Sequence, residues 1–178
     1  RPYAVTSALR AYHQLVTVIG RTLDGSANDP WLKRLGAIRT RASELLTKEL
    51  EPLLYLIKRS ISVMEGRNGN EIVPDRSSVE EAVFGVTLLM LARETRESLA
   101  LNALIEKLAR GIEAALESQG KQAIDRLSTA TDANWDAALA RSEAAVKRFG
   151  IYFCGTYGAS MSRRHAANVE ARALDEAS

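Results

Sequence analysis

Residues 82–92 read "AVFGVTLLMLA". Eleven positions pass without a charge, and the apolar side chains are not confined to one stripe. A helix that is apolar on nearly every side belongs in the middle of a bundle, because a surface helix needs a wet face. The run is also far shorter than the roughly 20 residues needed to cross a bilayer. It is therefore expected to be the central helix of a helical domain. Ser77 and Ser78, each followed three residues later by Glu80 and Glu81, offer two registers of a capping box for its start.

Upstream, "EGRNGNEIVPDRSS" at 65–78 carries two glycines, two asparagines and a proline. This is the clearest loop in the chain, and near residues 66–77 it divides a single domain, 1–178, into two helical halves. Before it, Val5, Leu9, Tyr12, Val16, Ile19 and Leu23 recur at the three-and-four spacing of one buried helix face. Gly25 is a plausible stop, and "SANDPW" at 26–31 lets Asp29 cap a second helix with Pro30 in its first turn. That helix keeps its phase past Pro52, where a kink or short break near 49–52 is expected.

Downstream, "RETRES" at 93–98 interrupts with six polar residues and reads as a turn capped by Ser98. An amphipathic helix follows through Leu101, Leu108 and Leu116. Gly120 and "STATDAN" (128–134) bracket a short helical piece, and a last long helix begins near Thr131 or Asp132. No alternating strand pattern or internal repeat occurs. The expected fold is all-α: one compact antiparallel bundle of about five to seven helices.

With 178 residues, 46% of them hydrophobic, the chain can bury a core without disulfides or metals. Its 24 basic and 22 acidic residues are well mixed, so neither a polyanion binder nor an acidic tail is indicated. Residues 1–66 carry ten Lys/Arg against six Asp/Glu and the remainder is slightly acidic. A single cysteine excludes an internal disulfide and agrees with a reducing, cytoplasmic setting. The start at Arg1, without a methionine, reads as a chain excised from something longer.

The motifs that would reveal an enzyme fail one by one. His13 and His165 are the only histidines, neither sits in a metal-binding spacing, and no metal or cofactor is expected. Asp24, Ser26 and Asn28 match the start of a calcium loop, but Asp29 and Leu35 occupy the positions that require Gly and Glu. There is no phosphate loop, and "GAS" at 158–160 lacks the rest of a serine elbow. Arg10, Arg21, Lys33, Arg34, Arg39 and Arg41 read as an ordinary solvated face, so nucleic acid is not an expected partner.

One stretch resists this exclusion: "FGIYFCGTYGAS" at 149–160, with four of the ten aromatics, the only cysteine and three of the eleven glycines. Projected as a helix running to about residue 158, it separates a heavy stripe (Trp135, Leu139, Val146, Phe149, Phe153, Tyr157) from a small one. Gly150, Cys154, Gly155, Gly158, Ala159 and Ser162 form the small stripe, while Asp136, Arg141, Glu143 and Lys147 give the earlier turns a wet back. A break at Gly155 or Gly158 is the other possibility. Basic neighbours at Lys147, Arg148, Arg163 and Arg164 would favour a reactive thiolate at Cys154, yet free cysteine is more often a small buried hydrophobe, and burial is expected here.

Three glycines in a helix, at roughly 1 kcal/mol each, ask for a close neighbour. The expectation is a non-enzymatic protein-interaction or regulatory module that binds a protein partner or itself through residues 149–164, with Gly150, Tyr152, Cys154, Tyr157, Gly158, Arg163 and Arg164 as its surface. The alternative is a small-molecule-binding or enzymatic domain whose pocket gathers Tyr152, Cys154, Tyr157 and Arg164.

Overall fold

Helix α4 (Arg76–Glu94) lies at the centre, with Ala82, Gly85, Val86, Leu88, Leu89, Leu91 and Ala92 all buried. A computed structural model of the chain describes residues 2–22, 30–67, 70–96, 99 and 101–176. The remaining elements, in chain order, are α1 (Pro2–Thr22), α2 (Pro30–Leu50), α3 (Leu53–Ile61), α5 (Asn102–Ala115), α6 (Lys121–Arg126), α7 (Trp135–Tyr152) and α8 (Gly155–Glu176). The fold is an all-α bundle, and among the described residues the sole β feature is an isolated bridge between Glu65 and Glu71.

The inner layer is built by α3, α4 and α7, which pack on one another, with α5 and α6 closing it and α8 folded back on α7. Leu50, Leu53 and Ile57 are fully buried and meet Val86 and Leu89 of α4 in one apolar cluster. Each such side chain contributes about 1.5–3 kcal/mol relative to leaving it exposed. Gly85 is the close-approach point, since a Cβ there would collide with the Leu53 side chain.

Pro52 acts as expected: α2 ends at Leu50 and α3 begins at Leu53. The polar 93–98 stretch also separates two helices, α4 ending at Glu94 and α5 starting at Asn102. The expected stop at Gly25 and the caps at Asp29 and Ser98 lie outside the described residues. The cap of α4 differs from the expected capping box. Asp75 is the N-cap, and one of its carboxylate oxygens accepts from the Ser78 backbone N–H at 3.0 Å and from the hydroxyls of Ser77 and Ser78. A carboxylate can take several donors at once, so the helix starts before the serines and both become its satellites. These bonds hold the Asp75 carboxyl down at about 2, the Ser77 hydroxyl contributing most.

Gly120 does not end a helix either. The chain stays helical from Asn102 to Arg126, widened into a π turn at Leu116–Gly120. Tertiary packing overrides the glycine's propensity, because Gly120 lies against the Phe149 ring and a Cβ would come within 2.8 Å of it.

Helices α1 and α2 form an outer layer resting on α4. They bury little: Leu9 among the described side chains of α1, and Leu46 and Leu50 on α2. Among the described residues no helix is long and apolar enough to cross a membrane.

Candidate functional site

The 149–160 stretch is an elbow, not a continuous helix. Phe153 makes the last bond of α7, its N–H donating to the Phe149 carbonyl at 3.0 Å. The next two residues are left-handed, Cys154 at φ 46° and Gly155 at φ 65°, and this pair reverses the chain into α8. Glycine adopts that conformation freely, whereas a residue with a Cβ is strained by it. The break therefore falls at Cys154–Gly155, before the expected end near residue 158.

The reversal answers what lies against the glycines. A Cβ on Gly158 would meet the Phe149 carbonyl oxygen at 3.0 Å and the Gly150 Cα at 3.2 Å, so α8 crosses α7 backbone to backbone at Gly150–Gly158. The outer sides of Gly150 and Gly155 face open space. Cys154 is exposed, contrary to the expected burial, because the elbow turns it outward; among the described residues its thiol donates to the Ile151 carbonyl alone, at 3.4 Å.

Beneath the elbow the aromatics interlock. Phe149 stacks on Phe153 with centroids 5.4 Å apart, and Tyr157 stands edge-on to both, 5.7 and 4.9 Å away. Phe149 is fully buried, while Trp135, Leu139, Val146, Phe153 and Tyr157 of the expected core stripe are half-buried. Tyr152 is buried and its hydroxyl donates to the Ala109 carbonyl on α5 at 2.8 Å, burial raising its pKa. Tyr157 donates to Glu117, and desolvation first, then that bond, raises its pKa. Glu117 also pairs with Lys121, whose hydrogen bond lowers the Glu117 pKa. Arg164 pairs with Asp125 of α6 at 2.8 Å, and Arg163 is exposed. Tyr152, Cys154, Tyr157 and Arg164 thus take four different partners: the bonds of Tyr152, Tyr157 and Arg164 clamp α7 and α8 onto α5, the π turn and α6, whereas that of Cys154 stays within α7.

Two arginines of α7 stand where periodicity placed none inside. Arg141, expected on the wet back, is buried: its guanidinium pairs with Glu71 of the 62–75 loop and donates to the Ile72 carbonyl at 3.0 Å. Arg148 is fully buried with no carboxylate partner among the described residues, donating to the Ala144 carbonyl at 2.9 Å and the Val79 carbonyl at 3.4 Å. Burial lowers its pKa to about 10.

Arg141 and Glu71 form one wall of a cavity of about 350 Å³ between the loop, the π turn and the 132–134 turn. Glu71 N–H donates to Asn134 Oδ1 at 3.0 Å, which ties loop to turn. Gln119, Gln122 and Arg126 line the other side. Gln119 Oε1 is buried and receives no hydrogen bond among the described residues, a state that costs about 1–3 kcal/mol. Nothing in the sequence distinguished these polar residues from solvated ones.

The second notable feature is the outer face of α2. Trp31, Ile38 and Leu45 recur at intervals of seven and are 62%, 49% and 50% exposed. Three residues beyond each stand Arg34, Arg41 and Lys48, all exposed. Arg34 lies over the Trp31 ring at 5.6 Å, and Arg41 meets Glu44 at 3.3 Å on the surface.

Comparison with protein-family models, with curated proteins and with solved structures finds no match to this chain.

Proposed function

We propose that the chain is a non-enzymatic helical interaction module that docks an acidic amphipathic helix along the outer face of α2. The carrying observation is the exposed row Trp31, Ile38, Leu45 with its basic companion row Arg34, Arg41, Lys48. A residue spacing of seven keeps the row on one face, drifting only about 20° per heptad. The row extends about 21 Å, fourteen residues at 1.5 Å each. A single exposed apolar row gives a partner helix one line of side chains to pack on, and the charges beside it bias the choice of partner.

Charge and width select among occupants. A second copy meeting the first through this face would set basic row against basic row, so like charges oppose self-pairing here. A bilayer surface takes a broad apolar sector, and a row about 40° wide suits a seam better. Trp and Arg are also the residue types that most often anchor interfaces. The elbow offers less: its exposed residues are Gly150, Cys154, Gly155, Thr156 and Ala159, all small, and its larger side chains Ile151, Phe153 and Tyr157 are half-buried.

The test is fluorescence anisotropy with a labelled synthetic helix carrying leucines at the seam and glutamates beside it. Binding is expected to weaken tenfold or more with Ile38→Ser or Leu45→Ser, both exposed and tolerant of change, and with lysines in place of the glutamates. Binding to phosphatidylserine vesicles but not to the helix would overturn the proposal. Self-association through residues 149–164 is the rival, and it requires a dimer by light scattering in which Cys154 is shielded from thiol reagents.

A further inference from the structure

Helix α1 carries an exposed apolar line of a different kind from the α2 row, and we propose that it pairs antiparallel with α1 of a second copy of this chain. Ala8, Ala11, Leu15 and Val18 are all exposed and follow one another at intervals of three, four and three. That is the spacing of a coiled-coil seam. At 100° per residue the four fall within about 80° of the helix surface, and their middle lies about 140° from Leu9. Leu9 is the α1 side chain that joins the buried core cluster, so the seam looks away from the bundle. Leu15 and Val18, 48% and 59% exposed, supply most of its apolar area.

Size selects the occupant first. The seam has small side chains toward its N-terminal end, Ala8 and Ala11, and large ones toward its C-terminal end, Leu15 and Val18. A partner that fills it evenly needs the reverse order, and α1 itself, run antiparallel, has it. Such a pairing sets Ala8 against Val18 and Ala11 against Leu15, so every layer holds one small and one large side chain. Parallel pairing would set Ala8 on Ala8 and Leu15 on Leu15, leaving voids at one end that close packing penalises.

Charge selects in the same direction. From Val5 to Ile19 the chain has one formally charged residue, Arg10, and it projects about 120° from the middle of the seam. Exposed Ser7 and Gln14 flank the seam on one side, and half-buried Tyr12 and Ile19 on the other. A partner with charges beside its own seam would lose their water here and meet no opposite charge. A second α1 brings none, whereas the three cations of the α2 row call for an acidic partner.

The two-fold axis falls midway between Ala11 and Leu15, so each contact occurs twice and the dimer closes on itself. Four layers over ten residues extend about 15 Å. One helix pair stays at the small end of interfaces, below about 1,200 Å², and such contacts are transient. Dissociation is therefore expected between about 1 µM and 1 mM.

The test is sedimentation equilibrium of the whole chain across that concentration range. Ala11→Lys and Leu15→Glu, both at exposed positions that tolerate change, should each weaken self-association tenfold or more. Mixed in equal amounts, the two variants should associate again, because the antiparallel register sets the new ammonium against the new carboxylate. Parallel pairing gives no such rescue, since it sets position 11 on 11 and position 15 on 15. The proposal is overturned if the native chain stays monomeric throughout, if neither substitution weakens association, or if the mixture is as monomeric as its parts. A dimer in which Cys154 is shielded from thiol reagents also overturns it, since the elbow lies outside this contact. Both substitutions leave α2 unchanged, so this result and the acidic-helix titration are read separately.

Discussion

Two glycines eight residues apart, Gly150 and Gly158, are expected to respond to the same substitution with opposite signs. At Gly158 an added Cβ would lie 3.0 Å from the Phe149 carbonyl oxygen and 3.2 Å from the Gly150 Cα. Both are backbone atoms, so no side chain can swing aside and α8 must move off α7. Overpacking of this kind costs about 1–3 kcal/mol. At Gly150, in the last turn of α7, a Cβ meets nothing within 4 Å. There Gly150→Ala gains helix propensity of about 0.5–1 kcal/mol. In a chain of this size 1 kcal/mol moves Tm by about 2–4 °C, so Gly158→Ala should lower Tm by about 2–12 °C and Gly150→Ala raise it by about 1–4 °C. Thermal unfolding followed by circular dichroism measures both. A neutral Gly158→Ala would refute the backbone-to-backbone crossing, and with it the account of why the elbow is rich in glycine.

Arg148→Met should leave stability unchanged or raise it, by up to about 4 kcal/mol in urea unfolding, because it replaces a buried cation that has no carboxylate partner among the described residues with an apolar chain of similar length; a loss of stability would mean that the guanidinium's bonds outweigh its desolvation. The Asp75 carboxyl, held at about 2 against an ordinary 3.8, contributes stability that is fully present above about pH 5 and lost as pH falls toward 2. Accordingly, the stability gap between the native chain and Asp75→Asn should stay constant above about pH 5 and close on acidification, as acid titration of urea midpoints would show. Cys154, being exposed, should react with a thiol reagent in the native state as fast as in the urea-unfolded chain, and protection by more than about a hundredfold would contradict its place at the elbow.

The architecture was legible where one physical term dominated. The uncharged run at 82–92 required a central helix because it has no wet face, and Pro52 required a break because an interior proline loses a hydrogen bond and clashes with the preceding turn. Local signals failed where tertiary contacts decided the outcome. Gly120 stays helical because Phe149 covers it, and two successive left-handed residues, one of them a cysteine, end α7 before the projected helix would. The buried arginines were hidden because Arg141 and Arg148 find their partners, the Ile72 and Val79 carbonyls, 69 residues away in sequence. The polar cavity was hidden for the same reason, since its walls come from three separate parts of the chain. The apolar members of the α2 row, Trp31, Ile38 and Leu45, follow the same helical period as the positions α2 buries, so only their exposure sets them apart.

Amide hydrogen exchange across residues 30–50, measured with and without the glutamate-flanked helix, bears most directly on the interaction proposed for this face. Exchange in α2 should slow on addition of that helix, and 0.5 M salt should remove the effect by screening the Arg34, Arg41 and Lys48 row. Slowing confined to residues 149–164, or none anywhere at saturating peptide, would contradict it.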